Sequence, residues 1–371
     1  MSSDLPRRVY LDSASGEPLH PSAREAFTTA LEAAYADPRR LHHAGRAARL
    51  VLDNARAATA EALGVRPDEI TFTASGTEAV HRGLLGLHRG AGRRGSRIVH
   101  TAVEHSAVLH AAAWSEAPTR VVAVDAAGRV RLDDLDLTDA AVVACQSANQ
   151  EVGTVQPVAE VAESAGDVPL FVDACASAGR LPLPEGWSAL AASAHKWGGP
   201  AGVGVLVVRR GARWRDPFPE DERAGEHASG FENVPAILAA AAALQAVVAE
   251  RDADNARAHA RIGWIRRVVG GLDEVEVVGD PSDRLPHVVT FSCLYVDGEA
   301  LVTELDRLGF EVASGSACTS SALEPSHVLA AMGALTHGNV RVSVGRETTD
   351  DDVQRFLEVL PGAIARLRAV V

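Results

Sequence analysis

Lysine is nearly absent from this chain of 371 residues: Lys196 is the only one, and every other base in the Lys and Arg total of 36 is arginine. Arginine stays protonated and cannot form an imine, whereas a desolvated lysine amine can lose its proton and condense with a carbonyl. A GC-rich genome would explain the arginines and leave Lys196 as a chance surface survivor. It would not explain why Lys196 ends an apolar run, beside His195 and before a Gly-Gly-Pro turn. We therefore favour a covalent role for Lys196.

Cysteine is scarce as well, with four residues that lie far apart and form no C-x-x-C pair. Neither a disulfide framework nor a metal site is therefore indicated. Cys145, Cys175 and Cys293 lie in apolar, strand-like runs and are expected to be buried and unreactive. Cys318 lies instead in a Ser, Gly and Ala loop at 314–326, which presents the thiol. A lone exposed cysteine is usually incidental, but in this context we favour a nucleophile, which needs a lowered pKa or a nearby base.

The chain also lacks an excess of positive charge and a long apolar run. Its formal net charge is −13, which disfavours nucleic acid as the main partner. The N-terminus has no charged stretch followed by an apolar one, as a signal peptide would. The apolar run at 236–248 is too short to span a membrane. We expect a soluble cytoplasmic protein with no membrane partner and no direct nucleic-acid partner.

Strand-like and helix-like segments alternate along the first two thirds of the chain. Several strand candidates are nearly continuous apolar runs, as in strands that are covered on both faces. The strand candidates are 70–74, 97–102, 120–124, 140–145, 170–173, 189–192 and 202–208, with crossover helices at 77–87, 106–114 and 158–165. This pattern predicts an α/β fold with an open, mostly parallel seven-stranded sheet.

The length of the chain favours two domains. A long helix that begins near Pro235 is expected to link the large domain to a smaller α+β domain, which ends in a helix capped by Thr349. We predict an N-terminal segment at 1–15 that packs with the small domain, a large domain at 16–254, and a small C-terminal domain at 255–371 that carries the cysteine loop.

Polar and small residues cluster where the predicted strands end, which is where open parallel sheets bind ligands. The turn at Gly76 and Thr77 opens a helix and would let a phosphate approach backbone N–H groups, although many such turns bind nothing. Asp173 can keep a pyridinium nitrogen protonated or merely cap a helix. His105 can stack on a planar cofactor or act as a surface cap. Asn149 can bond a phenolate oxygen or merely satisfy backbone groups.

Together these motifs resemble the cysteine desulfurases, which belong to the class V aminotransferase group of fold-type I pyridoxal-phosphate enzymes. The resemblance runs in order over nearly the whole chain, and the cysteine loop is similar to that of the long-loop subgroup. The motifs are Glu104-His105, Asn149-Gln150-Glu151-Val152-Gly153-Thr154, Val172-Asp173-Ala174, Ser193-Ala194-His195-Lys196 and Ser314-Gly315-Ser316-Ala317-Cys318-Thr319-Ser320.

The resemblance implies that pyridoxal 5'-phosphate is the cofactor, that L-cysteine is the substrate and that the protein is a homodimer. By it, Lys196 holds the cofactor as an imine and moves the substrate α-proton. His105 stacks on the ring and shuttles protons, and Asp173 pairs with the pyridinium nitrogen. Asn149 reaches the ring oxygen or the substrate carboxylate.

The remaining roles concern the phosphate, the substrate and the sulfur. The resemblance implies that the phosphate is bound by Thr77, Ser193 and His195, with Gly76 in the same turn. Arg341 clamps the substrate carboxylate, for which a bidentate guanidinium is suited. Cys318 attacks the substrate sulfur, keeps it as a persulfide for a sulfur-acceptor protein, and alanine leaves.

Three positions depart from the family pattern. Ala176 stands where the family usually has a glutamine that contacts the ring oxygen, and Phe231 stands where a threonine reaches the partner subunit's phosphate. The stretch 15–18 replaces the usual Ala-Thr-Thr-Pro. Because the imine lysine, the electron sink and the nucleophile remain, we expect an active enzyme with weaker cofactor retention or a specialised sulfur acceptor.

Two alternatives stay open. One keeps the cofactor and changes the substrate, as in a selenocysteine lyase or a cysteine-conjugate lyase, although the long cysteine loop favours persulfide chemistry. The other is a catalytically degenerate homologue that acts as a sulfur-relay scaffold or partner subunit, which only Ala176 and Phe231 support.

Overall fold

The structure is a computed structural model that describes residues 7–92, 94–219, 230–314 and 325–369. The strands are β1 (Val9–Tyr10), β2 (Ile70–Thr73), β3 (Arg97–Thr101), β4 (Thr119–Val122), β5 (Ala140–Ala144), β6 (Leu170–Asp173), β7 (Ala189–Ser193), β8 (Gly204–Val208), β9 (Val275–Val278), β10 (Val288–Cys293), β11 (Phe310–Glu311) and β12 (Asn339–Ser343). The α-helices are α1 (Pro21–Ala33), α2 (His43–Leu63), α3 (Gly76–Ala91), α4 (Ser106–Trp114), α5 (Val158–Ala165), α6 (Val234–Val269), α7 (Gly298–Arg307), α8 (His327–Met332) and α9 (Asp350–Arg368).

A seven-stranded sheet forms the centre of the larger part, in the order β2-β8-β7-β6-β5-β3-β4. Strands β3 to β7 pair in parallel, and β8 runs antiparallel to both of its neighbours. Every residue of β5, β7 and β8 is buried, because helices cover both faces. The predicted mostly parallel seven-stranded sheet is confirmed, and its strands differ from the predicted ranges by two residues or fewer at either end.

The smaller part is built on the antiparallel sheet β12-β10-β9, with α7 and α9 packed on it. The N-terminal strand β1 pairs in parallel with β11, and Asp12 bridges to Ser343 at the end of β12. The N-terminal segment thus joins the C-terminal part of the chain before the chain enters α1. As expected, Thr349 caps α9, where its Oγ1 accepts a hydrogen bond from the backbone N–H of Asp352.

Helix α6 runs through both parts without a break. Its first half, with Ile237 and Leu244, lies in the core beneath the large sheet, while Ile262 and Ile265 belong to the core of the small sheet. The predicted domain boundary at 254/255 therefore falls inside this helix. By length and composition α6 could cross a membrane. The apolar run predicted from the sequence, at 236–248, was shorter. In the structure, 44% of the apolar window of α6 is buried inside the protein.

Candidate active site

A cavity of about 240 Å³ opens at the carboxyl ends of β3, β5, β6 and β7. Crossover connections put the ends of these strands at one edge of the sheet, where such folds bind ligands. Eight of the ten residues to which the sequence assigned roles line it, namely Gly76, Thr77, His105, Asp173, Ser193, His195, Lys196 and Arg341. The cavity therefore brings together most of the predicted site.

Lys196 ends a short 3₁₀ turn that follows β7. Its Nζ donates hydrogen bonds to the carbonyl oxygens of Ala14, at 2.6 Å, and Ser15, at 3.1 Å. Those carbonyls belong to the loop between β1 and α1, which folds over the site. The only lysine of the chain is thus held at the cavity wall by main-chain acceptors.

Asp173 and His105 lie on neighbouring walls. Asp173 is the last residue of β6, is nearly buried, and accepts a hydrogen bond from the backbone N–H of Cys175 at 2.9 Å. His105 precedes α4, and its Nδ1 accepts from the backbone N–H of Ala107 at 3.1 Å. Burial lowers the pKa of His105, the nearby Asp173 raises it, and Lys196 lowers it, with a net decrease. The imidazole of His105 is therefore uncharged near pH 7.

The N-terminus of α3 forms a corner that fits a phosphate. A Cβ on Gly76 would lie 2.6 Å from the Cβ of Ser193 and 3.0 Å from the Sγ of Cys175, so only glycine fits here. Ser193 Oγ and His195 Nδ1 are 3.0 Å apart. Burial and the charge of Lys196 lower the pKa of His195 to about 4, so its ring is neutral near pH 7. Backbone N–H groups at a helix N-terminus together with a hydroxyl and an imidazole suit an anion.

Arg341 enters the cavity from β12 and is only 2% exposed. Its guanidinium donates to the backbone oxygen of Gln150 at 2.9 Å, to Asp12 Oδ1 at 2.9 Å and to Ser15 Oγ at 2.6 Å. Within the described part of the chain, its buried Nε has no hydrogen-bond partner. An oriented guanidinium of this kind can bind a carboxylate.

Asn149 does not line the cavity, unlike the other described residues with predicted roles. It is fully buried, and its Oδ1 accepts from the backbone N–H groups of Glu151 and Val152, at 2.8 and 2.9 Å. Its Nδ2 donates to the backbone oxygen of Val103 at 3.0 Å. The structure thus shows the second of the two functions that the sequence left open, and a contact with a cofactor or substrate stays a prediction.

Cys318 lies outside the described residues. The chain that follows its loop is fixed beside the cavity, because Ser326 Oγ donates to Glu151 Oε2 at 2.6 Å and His327 Nε2 lies 2.9 Å from the backbone oxygen of Glu104.

Cys175 and Gln150 were missed by the sequence analysis. Cys175 is half-buried, lies beyond the end of β6 and lines the cavity, so the prediction that it is fully buried was wrong. Burial, followed by the nearby Asp173, raises the pKa of its thiol, which stays protonated. Gln150 also lines the cavity, and the detectable signal was alternation, because Ala148 and Gln150 face the cavity on either side of Asn149.

The structure also locates the residues that differ from the family pattern. Ala176 lines the cavity, whereas Phe231 is 54% exposed and is not among the residues that line it. Glu17, from the altered stretch 15–18, forms an ion pair with Arg180 at 2.8 Å, and both side chains are largely buried.

The order of the large sheet, an aspartate at the end of β6 and a lysine after β7 define the class of fold-type I pyridoxal-phosphate-dependent transferases. The chain belongs to the aminotransferase class-V family, whose model matches residues 9–356. A cysteine desulfurase IscS of Dictyoglomus turgidum is 35% identical over 381 residues, which cover 99% of this chain and 97% of that protein. An IscS-like cysteine desulfurase of Mycobacterium tuberculosis is 36% identical over 382 residues, with 97% of each chain covered.

A comparison with solved structures supports the same family. A NifS-like protein superposes with a TM-score of 0.89 at 27% identity, covering 97% of this chain and 100% of that one. The predicted fold class and the resemblance to cysteine desulfurases are both confirmed.

Proposed function

We propose that the protein is a pyridoxal-phosphate-dependent L-cysteine desulfurase that converts L-cysteine to L-alanine and passes the sulfur to an acceptor protein. The observation that carries the proposal is the single cavity that gathers Lys196, Asp173 and Arg341. Relatives that cover nearly the whole chain and are named cysteine desulfurases support it.

The residues present fit this cofactor. The N-terminus of α3 at Gly76 presents backbone N–H groups that suit a phosphate, and Ser193 and His195 supply polar atoms beside it. Asp173 provides a carboxylate for the ring nitrogen, and Lys196 provides the amine for covalent attachment. Bound pyridoxal phosphate supplies an electron sink for the bonds at the substrate α-carbon.

Four side chains of the cavity act on the substrate and on the cofactor ring. Arg341 would bind and orient the substrate carboxylate, and the neutral ring of His105 would pack against the bound cofactor. Lys196 Nζ takes the proton from the α-carbon and returns it later. Asp173 would hold the proton on the ring nitrogen, because a carboxylate stabilises positive charge there.

Transfer of the substrate sulfur to Cys318 needs no external oxidant. The Cys318 thiolate attacks the substrate sulfur, an S–S bond forms, and the substrate C–S bond breaks. The electron pair of that bond stays with the substrate carbon, which takes a proton and becomes the methyl group of alanine. Cys318 is left as a persulfide, ready for a nucleophile on the acceptor.

The proposal is tested by alanine and sulfide release from L-cysteine, with the cofactor-loaded protein and a reductant present. We expect equal amounts of the two products and their loss in Cys318→Ala, which should still bind cofactor because Gly76, Asp173 and Lys196 are unchanged in this variant. Sulfur transfer at the normal rate by Cys318→Ala would contradict the role of this residue. Turnover of selenocysteine but not of L-cysteine would favour a selenocysteine lyase.

We also propose a homodimer in the cytoplasm. Exposed apolar side chains on and around α1 and α2 (Leu31, Tyr35, Leu41 and Leu50) support an interface between subunits. The free thiols of Cys145, Cys175 and Cys293 are consistent with a reducing compartment. Light scattering that finds a monomer at micromolar concentration would contradict the dimer. Recovery of the protein in an exported fraction would contradict the cytoplasmic location.

A further inference from the structure

A second cavity, of about 30 Å³, lies beside the middle of α6 and shares no lining residue with the active-site cavity. The loop before α1, the middle of α6 and the segment after β12 line it, so it lies where the large and small parts of the chain meet. Among the described residues of its wall, five are arginines and two are acids. This wall therefore carries an excess of three positive charges.

Four of the arginines are largely buried, although arginine is usually a surface residue. Their side chains are only 11% to 26% exposed: Arg180, Arg261, Arg346 and Arg251. A charge that leaves water loses hydration energy, which a close opposite charge has to replace. The acids near the cavity therefore decide whether the arginines need a further anion.

The two acids of the wall are already paired. Glu17 Oε2 accepts from Arg180 Nη2 at 2.8 Å, and its Oε1 accepts from the backbone N–H of Arg346 at 3.1 Å. Asp254 forms an ion pair with Arg257, one turn along α6. Each acid thus balances one arginine, and three arginines are left.

The other three arginines pair with acids that lie largely in solvent. The distances are 2.7 Å for Arg261 to Asp350, 3.5 Å for Arg346 to Glu347 and 3.8 Å for Arg251 to Asp252. The last two distances exceed that of a normal hydrogen bond, and water screens an ion pair with an exposed acid. Three partly buried positive charges at one small cavity therefore favour a bound anion.

We propose that the cavity binds a small monovalent anion such as chloride. Its volume is room for about two water molecules, so a halide ion fits and a phosphate or sulfate group does not. Glu17 connects this site to the active site, because its backbone N–H donates to the carbonyl oxygen of His195 at 2.8 Å and it follows the loop residues that hold Lys196. The bound anion ties α6 and the segment after β12 to that loop. The inference does not depend on the proposed function.

The test is the line width of the ³⁵Cl NMR signal, which broadens when chloride exchanges with a site on a protein. The protein is loaded with pyridoxal phosphate, so that the phosphate corner of the active site is occupied. The excess width should saturate as sodium chloride is added and should fall when bromide competes. Arg251→Gln and Arg346→Gln should each weaken chloride binding by about fivefold or more, the effect of one unit charge at about 4 Å in water.

Arg131→Gln is the matched control. Arg131 also pairs with an acid, Asp134, but it is exposed and is not among the residues that line the cavity. This variant should bind chloride as the wild type does. Equal chloride binding by the wild type, Arg251→Gln and Arg346→Gln would overturn the inference, and so would a wild type without saturable broadening.

Diffraction locates the anion without any substitution, so it decides even where a variant does not fold. In crystals of the loaded protein soaked in sodium bromide, anomalous scattering should show a bromide ion between Arg180, Arg251 and Arg346. Bromide found only at other positions would overturn the inference.

Discussion

Burial and the charge of Lys196 set the state of the two histidines that flank it in the cavity. Both lower the pKa of His195, to about 4, and both lower that of His105, where Asp173 opposes them. The two rings are therefore uncharged near pH 7. A neutral His105 can pack against a flat ring without a desolvation penalty for charge, and a neutral His195 can accept or donate a hydrogen bond at the phosphate corner.

The lowered pKa of His195 predicts a pH dependence of stability. Between pH 6.5 and 4 the unfolded chain binds a proton on this histidine and the folded chain does not, so folding stability falls as the pH falls through that window. In the cofactor-free protein, His195→Gln should therefore reduce the change of the urea unfolding midpoint with pH between those values.

The exposed His43 at the start of α2 provides the matched control. His43→Gln should leave the slope as it is in the wild type. Identical slopes for wild type and His195→Gln would show that His195 titrates normally in the folded protein.

At the scale of elements, the start of α3 is the part of the site that tolerates least change. Gly76→Ala would force its Cβ against Ser193 and Cys175. We expect a loss of about 1–3 kcal/mol in the free energy of unfolding, as for other overpacked sites, together with weaker cofactor loading.

Gly263 offers the matched glycine, because it lies inside α6 and a Cβ there would meet nothing within 4 Å. Gly263→Ala should raise the free energy of unfolding by about 0.5–1 kcal/mol, since alanine is the better helix former. Urea unfolding of both variants and a cofactor titration check the pair. Equal effects of the two substitutions would contradict the close contact at Gly76.

Elements with clear local signals were predictable from the sequence. Helices α4 and α5 have the predicted bounds, and Gly64 ends α2 in the left-handed region at φ 68°. The orientation of Asn149 and Gln150 was not predictable, because it depends on which face of a short extended stretch meets the sheet. Cys175 was expected to be buried because its sequence neighbours are apolar, whereas it lies beyond the end of β6 and lines the cavity.

At the scale of the whole molecule, the site depends on contacts between residues far apart in the chain. Arg341 on β12 reaches Asp12 and Ser15, and Lys196 reaches Ala14. From the sequence, the ends of the parallel strands could be expected to meet, since that follows from the sheet topology, and the segment 1–15 was expected to pack with the small domain. The way in which the N-terminal loop closes over the site follows from the pairing of β1 with β11, for which the sequence gives no local signal.

The proposed chemistry depends on covalent attachment of the cofactor to Lys196, the only lysine, and borohydride reduction of the cofactor-loaded protein detects this bond. Peptide mass spectrometry should find one reduced cofactor per chain on the peptide that contains Lys196. Lys196→Arg keeps the charge but cannot form the imine, so it should retain none. Cofactor that is bound by the wild type but leaves Lys196 unmodified after reduction would show that Lys196 does not hold the cofactor as an imine.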